Sequence, residues 1–216
     1  MIPTRPGTSG TPVTTGIIGV TVAFFVLGAL GMSDVLFDSL GQFNPAVREG
    51  QWWLIFSPVL VHAGFMHILF NMWALWVLGP QIERGVGTGP FIALYIASAG
   101  VGGVFVYALG DPLTFAVGAS GAIFGLFGVW FNWALHRRNT VQGQILLRQI
   151  GFLLLLNAAL PFILRSIAWE AHLGGLIAGF VIGEAWFRLG RRQSPALRTG
   201  VGVVVAVIAV IAVLTL

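Results

Sequence analysis

Four polar residues stand inside apolar stretches of this 216-residue chain: His67 and Asn71 in one, Ser120 in a second, His172 in a third. Each stretch is greasy enough to cross a bilayer, where a polar side chain has no water to turn to and is therefore a functional candidate by default. The types are those a hydrolase uses. A serine hydroxyl can be a nucleophile, an imidazole can take its proton, and amide or imidazole N–H groups can stabilise an oxyanion. Such chemistry requires the four groups to meet at one depth, and that depends on the elements that carry them.

The chain is 57% hydrophobic and 8% charged, with a mean hydropathy of +0.92, against about a quarter charged for a soluble domain. The fold class expected is all-α, a polytopic membrane helix bundle. At roughly 17 to 25 apolar residues per crossing, seven spans are expected: 14–33, 60–80, 88–110, 119–135, 146–164, 169–187 and 199–216. Residues 1–13 read as a flexible N-terminal tail and 189–198 as a basic cytoplasmic linker. The connection 34–59 mixes charges with aromatic and aliphatic residues and is expected to lie in the membrane interface, with Trp52 and Trp53 at headgroup level. The net charge is +4, but no basic run suits a phosphate backbone, so no nucleic-acid partner is expected. No cysteine is present, which excludes disulfides and thiolate chemistry. His62, His67 and Asn71 lack the acidic or sulfur ligands that would complete a metal site, so neither metal nor cofactor is expected.

The arginines set the orientation. With the N-terminus cytoplasmic, Arg5, Arg84, Arg137, Arg138, Arg148, Arg188, Arg191, Arg192 and Arg198 fall inside and only Arg48 and Arg165 outside, the asymmetry expected of cytoplasmic loops. Seven spans then leave the C-terminus outside. Depth follows at a rise of ~1.5 Å per residue. Ser120 lies about 25 Å above Arg137, His172 about 24 Å above Arg188, and His67 about 24 Å above Glu83. Asn71, four residues after His67, shares its helix face. In a hydrocarbon core about 30 Å thick, all are a few ångströms beneath the outer surface. Small residues recur every four positions at Ala171, Gly175, Gly179 and Gly183, and at Gly121 and Gly125, so the helices bearing Ser120 and His172 can approach closely. Glu170, two residues from His172, points to another face. The stretch Gly110–Ala119 reads as a segment dipping inward to expose Ser120. His62 and His136 read as solvated.

The run His67-Ile68-Leu69-Phe70-Asn71, the motif Gly118-Ala119-Ser120-Gly121 continuing Ala122-Ile123-Phe124-Gly125, and Ala171-His172 followed by Gly174-Gly175 resemble the rhomboid intramembrane serine proteases. The resemblance covers about 14–188, a six-helix catalytic core, and the span 199–216 is similar to the extra C-terminal helix of some members. It implies a protease that cuts single-pass membrane proteins near the membrane surface with a Ser–His dyad. Ser120 would be the nucleophile and His172 the base, with His67, Asn71 and the Ser120 N–H as oxyanion donors. Gly118 and Gly121 would keep the backbone around the nucleophile slim. The chain departs from common members in having Trp53 where many have arginine, and Phe124 where some have a tyrosine packed on the base. The setting implied is a bacterial plasma membrane, with lipid and single-pass substrates as partners. Two other classes compete: a non-catalytic rhomboid relative that binds and escorts membrane helices, and a transporter. The first commonly loses the serine or the histidine, and the second needs a polar path across the whole bilayer.

Overall fold

The computed structural model describes residues 10–163, 167–190 and 194–216, with side chains except at 158–163. Most of the expected tail, Arg165 and the Arg191-Arg192 pair of the expected basic linker lie outside the described residues. Helix α1, Pro12–Leu27, opens with proline at its first position, where the missing N–H costs nothing. It runs on through a π-helical turn, Gly28–Met32, into α2, Ser33–Leu40. Gly31 takes φ +107° there, a left-handed conformation open to glycine without strain. The first candidate span is thus Pro12–Leu40 and outruns the expected 14–33, because α1 runs on into α2 across a kink at Gly31.

Beyond Leu40 the connection folds against the bundle. Strand β1, Gln42–Phe43, pairs antiparallel with β2, Phe115–Ala116, in the register Gln42 to Ala116 and Phe43 to Phe115. Helix α3, Asn44–Arg48, and two 3-10 turns, Trp52–Ile55 and Ser57–Leu60, complete it. Two buried amide side chains anchor this cap. Gln42 Nε2 donates to the Gly103 carbonyl at 2.8 Å, and Asn44 Nδ2 donates to the carbonyls of Val106 and Asp111, each at 3.1 Å. Trp52 and Trp53 stay partly exposed.

Six long helices follow: α4 Phe65–Val86, α5 Thr88–Leu109, α6 Ser120–His136, α7 Val141–Ile163, α8 Trp169–Leu189 and α9 Pro195–Thr215. Together with α1 these helices fall on the seven stretches expected as spans, of which four meet the length and hydropathy of a crossing among the described residues. Helix α4 begins five residues later than expected, because 61–64 are held outside the helix. Pro12–Leu40, α4, α5 and α9 are long and apolar enough to cross a membrane by length and composition alone. Their outward faces are apolar, with Phe70, Trp73, Trp76, Val207 and Ile208 exposed. Water would not tolerate so continuous a surface, and lipid does. The protein is an all-α polytopic membrane bundle.

The core sits where α5, α6 and α8 meet, built on residues without bulk. A Cβ on Gly175 would run into the Gly121 carbonyl oxygen, and one on Gly179 into that of Gly125. Helices α6 and α8 therefore touch backbone to backbone along the two small-residue ladders, and Ala171 rests on both Gly121 and Gly102. At the far ends of the same pair, Glu184 accepts from Asn132 Nδ2 at 2.8 Å and from Arg188 Nε at 2.7 Å, and pairs with His136 Nε2 at 2.7 Å. His136, expected to be solvated, is also stacked on Phe187, the ring centres 3.5 Å apart. Helix α9 lies along α5: Ala209 and Val213 share a cluster with Val47, Leu54 and Ile55 of the cap.

Glu83 does more than mark the C-terminal end of α4. It is buried, and its carboxylate accepts from Val13 N at 3.0 Å, Thr14 N at 2.9 Å and Thr14 Oγ1 at 2.7 Å. The end of α4 thus satisfies the open amides at the start of α1. Glu83→Ala orphans these donors, so it is expected to lower the melting temperature, at about 1–3 kcal/mol per buried unsatisfied group. Glu83→Gln, which keeps an acceptor oxygen, is expected to lose less. A thermal melt of the detergent-solubilised protein reads both.

Candidate active site

Ser120 is the first residue of α6 and His172 the fourth of α8. The two helices run parallel, since Ser120 meets His172 at one end and His136 meets Glu184 at the other. His172 Nε2 lies 2.9 Å from Ser120 Oγ, both side chains half-buried. The backbone contact of α6 with α8 brings them this close, and a larger residue at Gly175 would prevent it. The His172 ring stacks flat on Phe124, one turn after Ser120, with centres 4.1 Å apart and planes 6° from parallel. Phenylalanine thus supplies the imidazole with a face to rest on. Among the described residues no carboxylate hydrogen-bonds His172, so packing orients the ring.

The approach to Ser120 is shaped by residues 115–119. Gly118 takes φ +114°, which turns the chain from β2 into α6 in a conformation that would strain other residues. Its N–H donates to the Pro58 carbonyl at 2.9 Å. A Cβ at this position would sit 2.6 Å from Cε1 and Nε2 of His67, so glycine is what admits the His67 ring beside the turn. His67 is half-buried on the first turn of α4, and Asn71 is buried one turn further on. The Asn71 amide donates to the His67 carbonyl at 2.9 Å, within its own helix, which leaves its second N–H and its oxygen for other partners. The Ser120 amide belongs to the first turn of α6, where N–H groups have no intrahelical acceptor and the helix dipole is positive.

His62 corrects the sequence reading, which took it as solvated. It is 4% exposed, and its Nε2 accepts from the Ala119 amide at 3.3 Å. Its ring meets that of His67 edge to face, centres 5.0 Å apart. It lies before α4 begins, where no helical period relates it to His67 or Asn71, and only the fold brings it here. The segment Gly110–Ala119, read as dipping inward, is held from two sides: β1 grips it at 115–116, and Pro58 and His62 grip it at 118–119. A separate cleft of about 600 Å³ opens between α4, α6 and α7, lined by Val77, Phe127, Trp130, Trp133, Ile145 and Phe152 among others. None of the candidate site residues lines it.

Fold and site define a class: a multi-pass helical membrane protein with a serine and a histidine bonded at the N-terminal ends of two parallel, glycine-packed helices. The model of the rhomboid domain matches residues 49–189, about two thirds of the chain. The chain is 37% identical over 174 residues to the rhomboid protein YdcA of Bacillus subtilis, which covers 79% of this chain and 86% of that one. It is 36% identical over 146 residues to the rhomboid protease GluP of the same organism, covering 66% of this chain and 27% of GluP. The rhomboid protease GlpG homolog of Cronobacter sakazakii is 30% identical over 175 residues, or 81% of this chain and 61% of that protein. The chain belongs to the rhomboid family.

Proposed function

We propose that this chain is an intramembrane serine endopeptidase that hydrolyses peptide bonds in or near the transmembrane segments of single-pass membrane proteins. The observation that carries the reading is the 2.9 Å contact between Ser120 Oγ and His172 Nε2. Names of the relatives, among them the rhomboid protease GluP, support the same class of reaction. In the mechanism, Nε2 accepts the Ser120 hydroxyl proton while Oγ attacks the scissile carbonyl carbon. The resulting imidazolium gives that proton to the leaving amine, which departs with one product. Water then enters, and His172 takes its proton while the water oxygen adds to the acyl carbon. The imidazolium returns that proton to Oγ as the acyl bond breaks, so the second product leaves as a carboxylic acid and the serine hydroxyl is restored.

The negative charge of each tetrahedral intermediate falls near the N-terminus of α6. The Ser120 amide is the backbone donor, with His67 and the Asn71 amide as side-chain donors. In a site largely shielded from water such donors act at low dielectric and need no reorganisation. Asn71→Ala is expected to reduce kcat on the order of 10²-fold with little change in KM. Cleavage kinetics beside a thermal melt check this, and unchanged kcat removes Asn71 from the oxyanion role. An escort protein that only binds helices has no use for a hydroxyl and an imidazole in bonding contact, so the escort reading is not adopted. The arginine distribution supports a cytoplasmic N-terminus and an outer C-terminus in a bacterial plasma membrane, with the site toward the outer face. The test is reconstitution of purified protein in liposomes with a model single-pass substrate. A product cut at the membrane-proximal end of the substrate helix is expected, and no product at any enzyme level overturns the proposal.

A further inference from the structure

His62 is a buried polar group beside the candidate dyad to which the mechanism above gives no task. Its Nε2 accepts the amide of Ala119, the buried residue that caps α6 immediately before Ser120. Donation by an N–H requires that nitrogen to be unprotonated, so the ring proton is on Nδ1, which is buried and has no partner among the described residues. The same imidazole packs edge to face on His67, and His67 in turn lies against Gly118, whose amide is held by Pro58. Pro58 and His62 thus hold the consecutive amides of 118 and 119, with the His67 ring lying against Gly118, directly upstream of the nucleophile.

We propose that His62 is a positioning residue for the hydrolysis: it fixes the turn that presents Ser120 and assigns the backbone donors around it. By engaging the Ala119 amide, it turns that N–H away from the reacting carbonyl and leaves the Ser120 amide as the backbone oxyanion donor. By packing on His67, it holds the second ring where Gly118 makes room for it. Nε2 bonds to Ala119 and not to Ser120 Oγ, so His62 acts through its neighbours. A neutral imidazole suits the position, because it offers an acceptor on a stiff ring without burying a charge.

The inference rests on the protease reading, and its test separates the two. In glutamine the side-chain amide reaches the place of Nε2, whereas in asparagine it stops near Nδ1 and leaves the Ala119 donor unsatisfied. His62→Gln is therefore expected to keep kcat within about threefold, and His62→Asn and His62→Leu to lower it at least about tenfold with KM nearly unchanged. Hydrogen exchange of the Ala119 amide, followed by NMR on the solubilised protein, needs no activity. It is expected to quicken at least about tenfold in the Asn and Leu variants and to stay slow in the Gln variant. Equal kcat and equal exchange in the Gln and Asn variants overturn the inference, as does normal kcat in His62→Leu. Should His62→Leu fail to fold, the Gln and Asn pair decides. A wild-type protein that cleaves nothing overturns the protease reading, while exchange at Ala119 still judges the contact.

Discussion

Ser120→Ala is expected to reduce cleavage of a reconstituted single-pass substrate by at least about 10⁴-fold while the protein melts at its wild-type temperature. The size follows from the nature of the lost group. Ser120 Oγ is the only protein atom in the proposed mechanism that bonds to the scissile carbon, and alanine offers no substitute nucleophile. Stability is expected to hold, because the hydroxyl is half-buried and its one hydrogen-bond partner among the described residues is the His172 ring. That ring keeps its stacking on Phe124. His172→Ala is expected to lose activity on the same scale, since a serine hydroxyl without a base is a poor nucleophile. The two losses should not add: each removes one half of a single proton-transfer unit, so the double variant should be no slower than either single one. Both singles retaining more than a tenth of wild-type kcat would contradict the assignment.

The second large effect is expected at a residue with no functional group. A Cβ on Gly175 would collide with the Gly121 carbonyl oxygen, a backbone atom that cannot swing aside as a side chain can. Gly175→Val must therefore push α8 away from α6. Overpacking of this kind costs about 1–3 kcal/mol or more, so the melting temperature should fall by several degrees. Activity should fall further than stability. Ser120 adjoins Gly121 and His172 lies three residues before Gly175 on the same two helices, and a shift of about 1 Å at a reacting pair can cost on the order of 10²-fold. Gly19→Val is the control: a Cβ there meets nothing within 4 Å, and neither stability nor activity should drop. If Gly175→Val behaves like Gly19→Val, close packing of α6 and α8 is not what assembles the site.

The parts of this molecule that were legible in the sequence are those governed by local period and composition. Long apolar runs marked the helices, and the small residues at Gly121, Gly125, Ala171, Gly175 and Gly179 marked the faces that touch. Equal depth from the flanking charges allowed Ser120 and His172 to meet, and they lie 2.9 Å apart. What stayed hidden depends on pairings between distant segments. The four-residue sheet joining 42–43 to 115–116 is too short for any period to announce it. Gln42 and Asn44 look like ordinary loop residues until their amides are found bonded to α5 and the turn beyond it. Glu83 resembles a boundary charge, yet it closes the start of α1 across 69 and 70 positions. His62 reads as solvated because it stands near the outer start of the expected span 60–80, and its burial follows from the cap folding over the nucleophile turn.

If Ser120 is a nucleophile activated by His172, a reagent that phosphonylates activated serines should trap it. The purified protein is treated with a fluorophosphonate, the modified residue is located by peptide mass spectrometry, and the rate is compared with that of His172→Ala. A single phosphonyl adduct on Ser120 is expected, formed at least about 10²-fold more slowly when the imidazole is absent. A protein that cleaves its substrate yet carries no adduct on Ser120, or whose Ser120 reacts equally fast without His172, would contradict this assignment.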